Sequence, residues 1–164
     1  MWPYLIGAGL VALLAKAFSE EDEAPKRKSS NRKTSRNDAN KKIFVSFAIE
    51  DKKYRDFLVA QAKNERSPFS FFDMSVKEPW EQQVWKDKCR AKIQKCDGMI
   101  VLLSKNTWHS SGARWEIKCA KEERVPVIGM HIKKGDKGAK PPELNGKKVI
   151  EWNWDNLDET ISKF

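Results

Sequence analysis

Metal-binding and redox residues are scarce in this chain of 164 residues, which has three cysteines and two histidines. None of the cysteines forms a CxxC pair, so no metal cluster has usable ligand spacing. Cys89 and Cys96 stand seven apart in what reads as one helix, about 10 Å by helical rise, too far for a disulfide. Three unpaired thiols suit a reducing cytosol. His109 and His131 read as buried fillers. Walker loops, GxGxxG, GxSxG and recognisable Ser–His or Cys–His pairings are also missing, which removes the common nucleotide-binding and hydrolase signatures. No internal repeat is found.

Large apolar residues are missing from residues 19–42 altogether. A stretch with nothing to bury cannot offset its ordering entropy and is expected to be disordered. Within it, Lys26, Arg27, Lys28, Arg32, Lys33 and Arg36 form a basic block uninterrupted by acid, part of a net charge of +9. Such a block suits anionic lipid or nucleic acid, or is simply a solvated linker.

Residues 2–18 show the opposite bias, carrying one charge, Lys16. As a helix they span about 25 Å, slightly short of a ~30 Å hydrocarbon core. Trp2 and Tyr4 suit one interface and Lys16 the other. With the basic block on the carboxyl side, the positive-inside rule places the rest of the chain in the cytoplasm. Two other readings stand beside this one. Ala15-Lys16-Ala17 resembles a secretory cleavage site, although the positive n-region is missing, and a helix buried in the globular part is the third. The expected organisation is a transmembrane helix over 1–18, a charged linker over 19–41 and one domain over 42–164.

That domain alternates strand and helix. Lys42–Phe47 reads as a buried strand, with Asp51 as N-cap of a helix carrying Tyr54, Phe57, Leu58 and Ala62. Phe69–Phe72 is a second strand, Met74–Pro79 a loop, and Trp85, Cys89, Ile93 and Cys96 mark one helical face. Met99–Leu103 is the most continuous apolar run, as expected of a strand covered on both faces. A helix starting near Ser111 or Gly112 carries Ala113, Ile117 and Ala120. Val125–Ile132 and Val149–Trp152 complete the strands around a 133–145 loop, and Leu157, Ile161 and Phe164 line a last helix. Alternation of this kind predicts an α/β fold, a doubly wound, flavodoxin-like parallel sheet of about five strands.

Ligands of such sheets bind beyond the carboxyl ends of the strands. The candidates there are Ser46, Asp73, Ser75, Ser104, His109, Ser110, Ser111 and Glu116, with Phe47, Trp80, Trp108 and Trp115. Hydroxyls and aromatic rings around one carboxylate suit a stacked nucleotide.

These segments resemble Toll/interleukin-1 receptor (TIR) domains, and within them the bacterial TIR-like proteins of Thoeris ThsB type. KIFVSFAIEDKKYRDFL is similar to the family's opening box, FSFFDMSVKEPW to its second strand and loop, and DGMIVLLSKNTWHSSGARWEI to the segment bearing its glutamate. The resemblance covers residues 42 to about 132, and the rest more loosely. It implies Glu116 as the catalytic residue and Ser46, Phe47, Asp73, Ser75, Ser104, Trp108 and Trp115 as a substrate-binding set. One departure is that Gly112 stands where many members have tryptophan, four residues before the glutamate.

The implied activity is NAD cleavage at the nicotinamide–ribose bond, with NAD as substrate, no resident cofactor and no metal. The implied setting is signalling in bacterial antiphage defence. A non-enzymatic module is the rival, since such domains also self-associate, and a homo-oligomer is expected either way. Nucleic-acid binding through the linker is a third possibility.

Overall fold

The computed structural model describes residues 40–64, 67, 69–73 and 81–164. The expectations for the hydrophobic segment 2–18, the basic linker, the Met74–Pro79 loop, Ser75 and Trp80 fall outside them. Among the described residues, no helix is long and apolar enough to cross a membrane.

Five strands form one wholly parallel sheet, namely β1 (Lys41–Ser46), β2 (Phe69–Phe72), β3 (Gly98–Leu103), β4 (Val127–His131) and β5 (Val149–Glu151). Their spatial order is β2-β1-β3-β4-β5. Among the described residues, four helices connect or follow them, α1 (Lys52–Asn64), α2 (Gln82–Ile93), α3 (Ser111–Glu122) and α4 (Trp154–Ile161). Parallel neighbours need crossovers, and the crossovers cover both faces. Consequently every residue of central strand β3 is buried.

Side-chain alternation along the strands divides the core in two. Ile43, Val45, Ile100, Leu102 and Met130 pack with Tyr54 and Leu58 of α1 and Leu157 and Ile161 of α4. Phe44, Met99, Val101 and Leu103 face the other way, against Cys89 and Ile93 of α2 and Ile117 and Ala120 of α3. The doubly wound expectation is thus met, and the strand order reverses between β1 and β3, where sheets of this kind open a crevice.

Local details differ from the sequence reading. Helix α2 ends at Ile93, so Cys96 lies beyond it rather than on the same helix as Cys89. All three cysteines are free. Strand β4 is shorter than expected because Val125 and Pro126 precede it in the turn. Asp51 belongs to a 3-10 turn, Ile49–Asp51, leading into α1. Its side chain points to the β3 tip instead of serving simply as a helix cap.

The two ends of the described chain meet at the amino pole of the sheet. Lys41 Nζ donates to the main-chain oxygens of Ile161, Ser162 and Phe164 at 3.3, 3.1 and 2.7 Å. The Phe164 ring lies where a Cβ on Gly98 would be, 2.0 Å from its nearest carbon, so only glycine admits that packing.

Candidate functional site

Adjacent residues on a strand project to opposite faces, and this separates the strand-tip candidates into two groups. Ser46, the last residue of β1 and completely buried, follows Phe44 towards α3. There its hydroxyl donates to Glu116 Oε2 at 2.5 Å and lies 3.4 Å from the Ala113 carbonyl. Ala113, Glu116, Ile117 and Ala120 share the inward side of α3, which begins at Ser110, whose Oγ accepts from the Ala113 amide at 3.3 Å. The Cys89 thiol approaches Glu116 Oε1 at 3.9 Å from α2.

Glu116 is therefore no solvated helix glutamate; it is 6% exposed. Burial is the chief reason its pKa is pushed up to about 8, and the nearby Asp73 charge adds to the rise. The Ser46 and Cys89 hydrogen bonds oppose it. At neutral pH the group holds its proton more often than not. Burial, with Glu116 and Cys119 beside it, drives the Cys89 thiol far above its usual range as well.

The second group lies on the α1 side of the same tips. Ser104 Oγ donates to Asp51 Oδ2 at 2.6 Å, and Asn106 Nδ2 donates to Asp51 Oδ1 at 3.0 Å. The Asn106 amide returns to Ser104 Oγ at 2.9 Å, while Thr107 Oγ1 accepts from the Ser104 amide at 2.9 Å and donates to the Leu102 carbonyl at 3.0 Å. This closed network shapes the turn leaving β3. The 133–145 loop presses on it from outside. A Cβ on Gly138, which has a φ of +53°, would sit 2.3 Å from the Ser104 oxygen, and Asp136 accepts from the Lys105 amide at 2.9 Å.

Phe47 and Asp73 meet through Arg55, whose guanidinium lies 5.6 Å from the Phe47 ring centre and 3.3 Å from Asp73 Oδ2. Trp108 lies under the Arg114 guanidinium at 5.5 Å, and Arg114 in turn grips Glu143 with two nitrogens at 2.9–3.1 Å. That pairing lowers the Glu143 pKa. The Trp115 ring packs 5.3 Å from Trp85, with Lys86 and Arg90 each 5.8 Å away, so it joins α3 to α2.

A single hollow gathering Phe47, Ser104 and Glu116 is thus not what forms. The open space at the switch point is a shallow pocket of about 280 Å³ lined by Ile49, Glu50, Asn106, His109, Ser110, Ser111 and Gly112. Glu116 lies one helical turn behind Gly112, under Ser46. His109 is exposed and His131 half-buried, so neither is the buried filler expected. Asn106 is not singled out by the sequence, whereas Asp51 reads there as an N-cap and Trp85 as part of a helical face; all three matter here. The Trp85 ring stands 4.0 Å from where a Cβ on Gly112 would be, bringing an aromatic ring from α2 to the place where tryptophan is missing. Among the described residues, no cluster of His, Cys, Asp or Glu could hold a metal ion.

Residues 44–137, more than half of the chain, match the family described as Thoeris protein ThsB, TIR-like domain. The chain belongs to that family. One solved structure agrees with a TIR-like fold. The TIR domain of the Toll-related receptor TRR-2 from Hydra magnipapillata is similar at a TM-score of 0.58 and 15% identity, covering 73% of this chain and 97% of that one. A 2-desoxiribosyltransferase from Leishmania mexicana gives a TM-score of 0.46 at 15% identity, over 56% of this chain and 64% of the other. The TIR domains of the Roq1 resistosome give 0.42 at 16%, over 56% and 57%. No curated protein matches the sequence. Within the ThsB TIR-like domain, then, an almost completely buried glutamic acid with a raised pKa lies behind the pocket at the β1/β3 switch point.

Proposed function

We propose that this chain is a membrane-tethered TIR-like enzyme that cleaves NAD at the nicotinamide–ribose bond and makes an ADP-ribose-type signal in bacterial antiphage defence. The observation that carries the proposal is Glu116, a carboxyl group with a strongly raised pKa, fixed by Ser46 at the tip of β1 in a ThsB TIR-like domain. Perturbed acids beside a cleft at a topological switch point are the usual mark of reactive sites.

In the proposed reaction the C1′–N bond of NAD breaks and nicotinamide leaves with the bonding electron pair as a neutral molecule. No strong general acid is needed. Positive charge develops on the ribose, and Glu116 stabilises it as a carboxylate. Water adding to C1′ gives ADP-ribose and a proton; a nucleophile within the molecule gives a cyclic product and a proton. Glu116 must first be uncovered and ionised. Its position behind the pocket favours a site completed by association of several copies.

Chromatography of NAD incubated with concentrated residues 41–164 tests this. Released nicotinamide, abolished by Glu116→Ala in a domain that still folds, supports it; unchanged turnover in that variant removes Glu116 from the mechanism. The separation of Glu116 from the pocket wall also favours a second reading, a self-associating adaptor without chemistry. Light scattering distinguishes the two, since assembly without nicotinamide release at any concentration leaves only the adaptor. The tether is assigned to residues 2–18 and the basic linker, and deleting 2–18 should move the protein from the membrane to the soluble fraction.

A further inference from the structure

The lining of the pocket at the switch point is selective in its chemistry. Its volume of about 280 Å³ is at the lower end for small-molecule sites, suited to one nucleoside rather than a whole dinucleotide. No lysine or arginine lines it, and Glu50 is the single carboxylate among its lining residues. A phosphate is poorly served there, whereas hydroxyl donors and positive charge are well served.

Glu50 and its neighbour Asp51 have opposite surroundings. Asp51 is buried, with its oxygens taken by Ser104 and Asn106. Glu50 is exposed, and among the described residues no hydrogen bond or ion pair holds its side chain. On its other side Ile49 is 65% exposed, although large and apolar. An acid ahead of α1 also suits that helix's amino end, but that role gives no reason for an uncovered isoleucine beside it. An apolar surface next to an unengaged carboxylate, in a concavity, matches a nucleoside, whose ring is flat and whose sugar presents two adjacent hydroxyls. Acids at the strand ends of dinucleotide-binding sheets accept from ribose in this way. Of the two halves of NAD, the nicotinamide nucleoside carries the positive charge, so the carboxylate favours it over adenosine. Glu116, one helical turn behind Gly112, lies on the same side of the molecule as this lining.

We infer that Glu50 is a substrate-binding carboxylate, accepting from the 2′- and 3′-hydroxyls of the nicotinamide ribose while Ile49 lies against the nicotinamide ring. The inference deepens the NAD-cleaving reading and rests on it for the identity of the ligand. A carboxylate drawing on the 2′-hydroxyl also supplies electron density towards the carbon that turns positive, so the contact strengthens as the bond breaks.

Calorimetric titration of the full-length chain in detergent, carrying Glu116→Gln to prevent turnover, tests this. The ligands are NAD and an NAD analogue lacking the 2′-hydroxyl of the nicotinamide ribose. NAD should bind on the order of tenfold more tightly, and adding Glu50→Gln should make the two equal with no change in melting temperature. NADP should bind about as NAD does, since its extra phosphate sits on the adenosine half outside the pocket. In the chain that keeps Glu116, Glu50→Gln should slow nicotinamide release from NAD, lowering kcat more than it raises KM, and leave release from the analogue unchanged. This second measurement decides the matter if Glu116→Gln fails to fold. Equal binding of NAD and the analogue, or a preference that survives Glu50→Gln, overturns the inference; so does strong rejection of NADP, which would put the adenosine half in the pocket. Nicotinamide release indifferent to Glu50 sinks this role and spares the NAD-cleaving reading. A Glu50-dependent preference in binding without release at any concentration does the reverse.

Discussion

Two buried carboxyl groups lie near the same end of the same sheet, on opposite faces, and their surroundings differ in kind. Asp51 is held at both oxygens, by the Ser104 hydroxyl and the Asn106 amide, inside a network that also ties down the turn after β3. Glu116 has one short bond, from Ser46, and a distant thiol. A carboxylate satisfied by several donors is part of the architecture, and removing it leaves those donors stranded. One supplied with a single donor and kept from water is held in its neutral form, ready for a proton or charge to be exchanged. Burial alone does not set the protonation of a carboxyl group; the hydrogen-bond donors around it count as well.

The sharpest way to break this contrast is kinetic. Glu116→Gln, which keeps size and shape, should lower nicotinamide release from NAD by roughly 100-fold or more while leaving the melting temperature near or above that of the parent. Asp51→Ala should do the reverse to stability. It strands the Ser104 hydroxyl and the Asn106 amide and should cost about 2–4 kcal/mol, read from urea unfolding.

A third outcome concerns pH. Glu116 has a folded-state pKa of about 8 against 4.5 for the ordinary group, so the folded protein holds the proton more tightly than the unfolded chain. Stability should therefore fall as pH rises from about 4.5 to about 8, by an amount on the order of a few kcal/mol, and level off above. Glu116→Gln should lack that slope. If the ionised form does the chemistry, turnover should climb through the same window while stability declines.

Ser46→Ala should have a smaller effect, about 1 kcal/mol in stability. Because the Ser46 bond favours the charged form, its loss should shift the rise in activity to higher pH. Smallest of all, Arg114→Ala breaks a half-buried, solvent-screened pair with Glu143 and should shift the melting temperature least of these substitutions, with Trp108 losing its cation neighbour.

How much of this could be read from the residues follows from the range of each interaction. The apolar runs at Ile43–Val45 and Met99–Leu103 and the helical stripes through Tyr54 and Ile117 report local periodicity, and they sufficed for the layers and the parallel sheet. The pairing of Ser46 with Glu116 spans 70 residues of sequence and depends on which face Ser46 occupies. Strand alternation contained that information: an odd–even count along β1 puts Ser46 and Phe47 apart. Reading all strand-tip residues as one cleft overlooked it. Asp51 was legible as a polar residue before a helix, yet its tie to Ser104 depends on how the β3 turn folds back. Trp85 was read only as core, because nothing local brings it to Gly112.

The clamp between Lys41 and the last residues of the chain has a practical corollary. Parallel strands all point the same way, so both the entry into the domain and its final helix hang from one pole, about 20 Å of strand away from the pocket at the other. A bead, a fluorophore or a fusion partner joined upstream of Lys41 would leave the pocket end uncovered, and copies arrayed on such a support would all display that end outward.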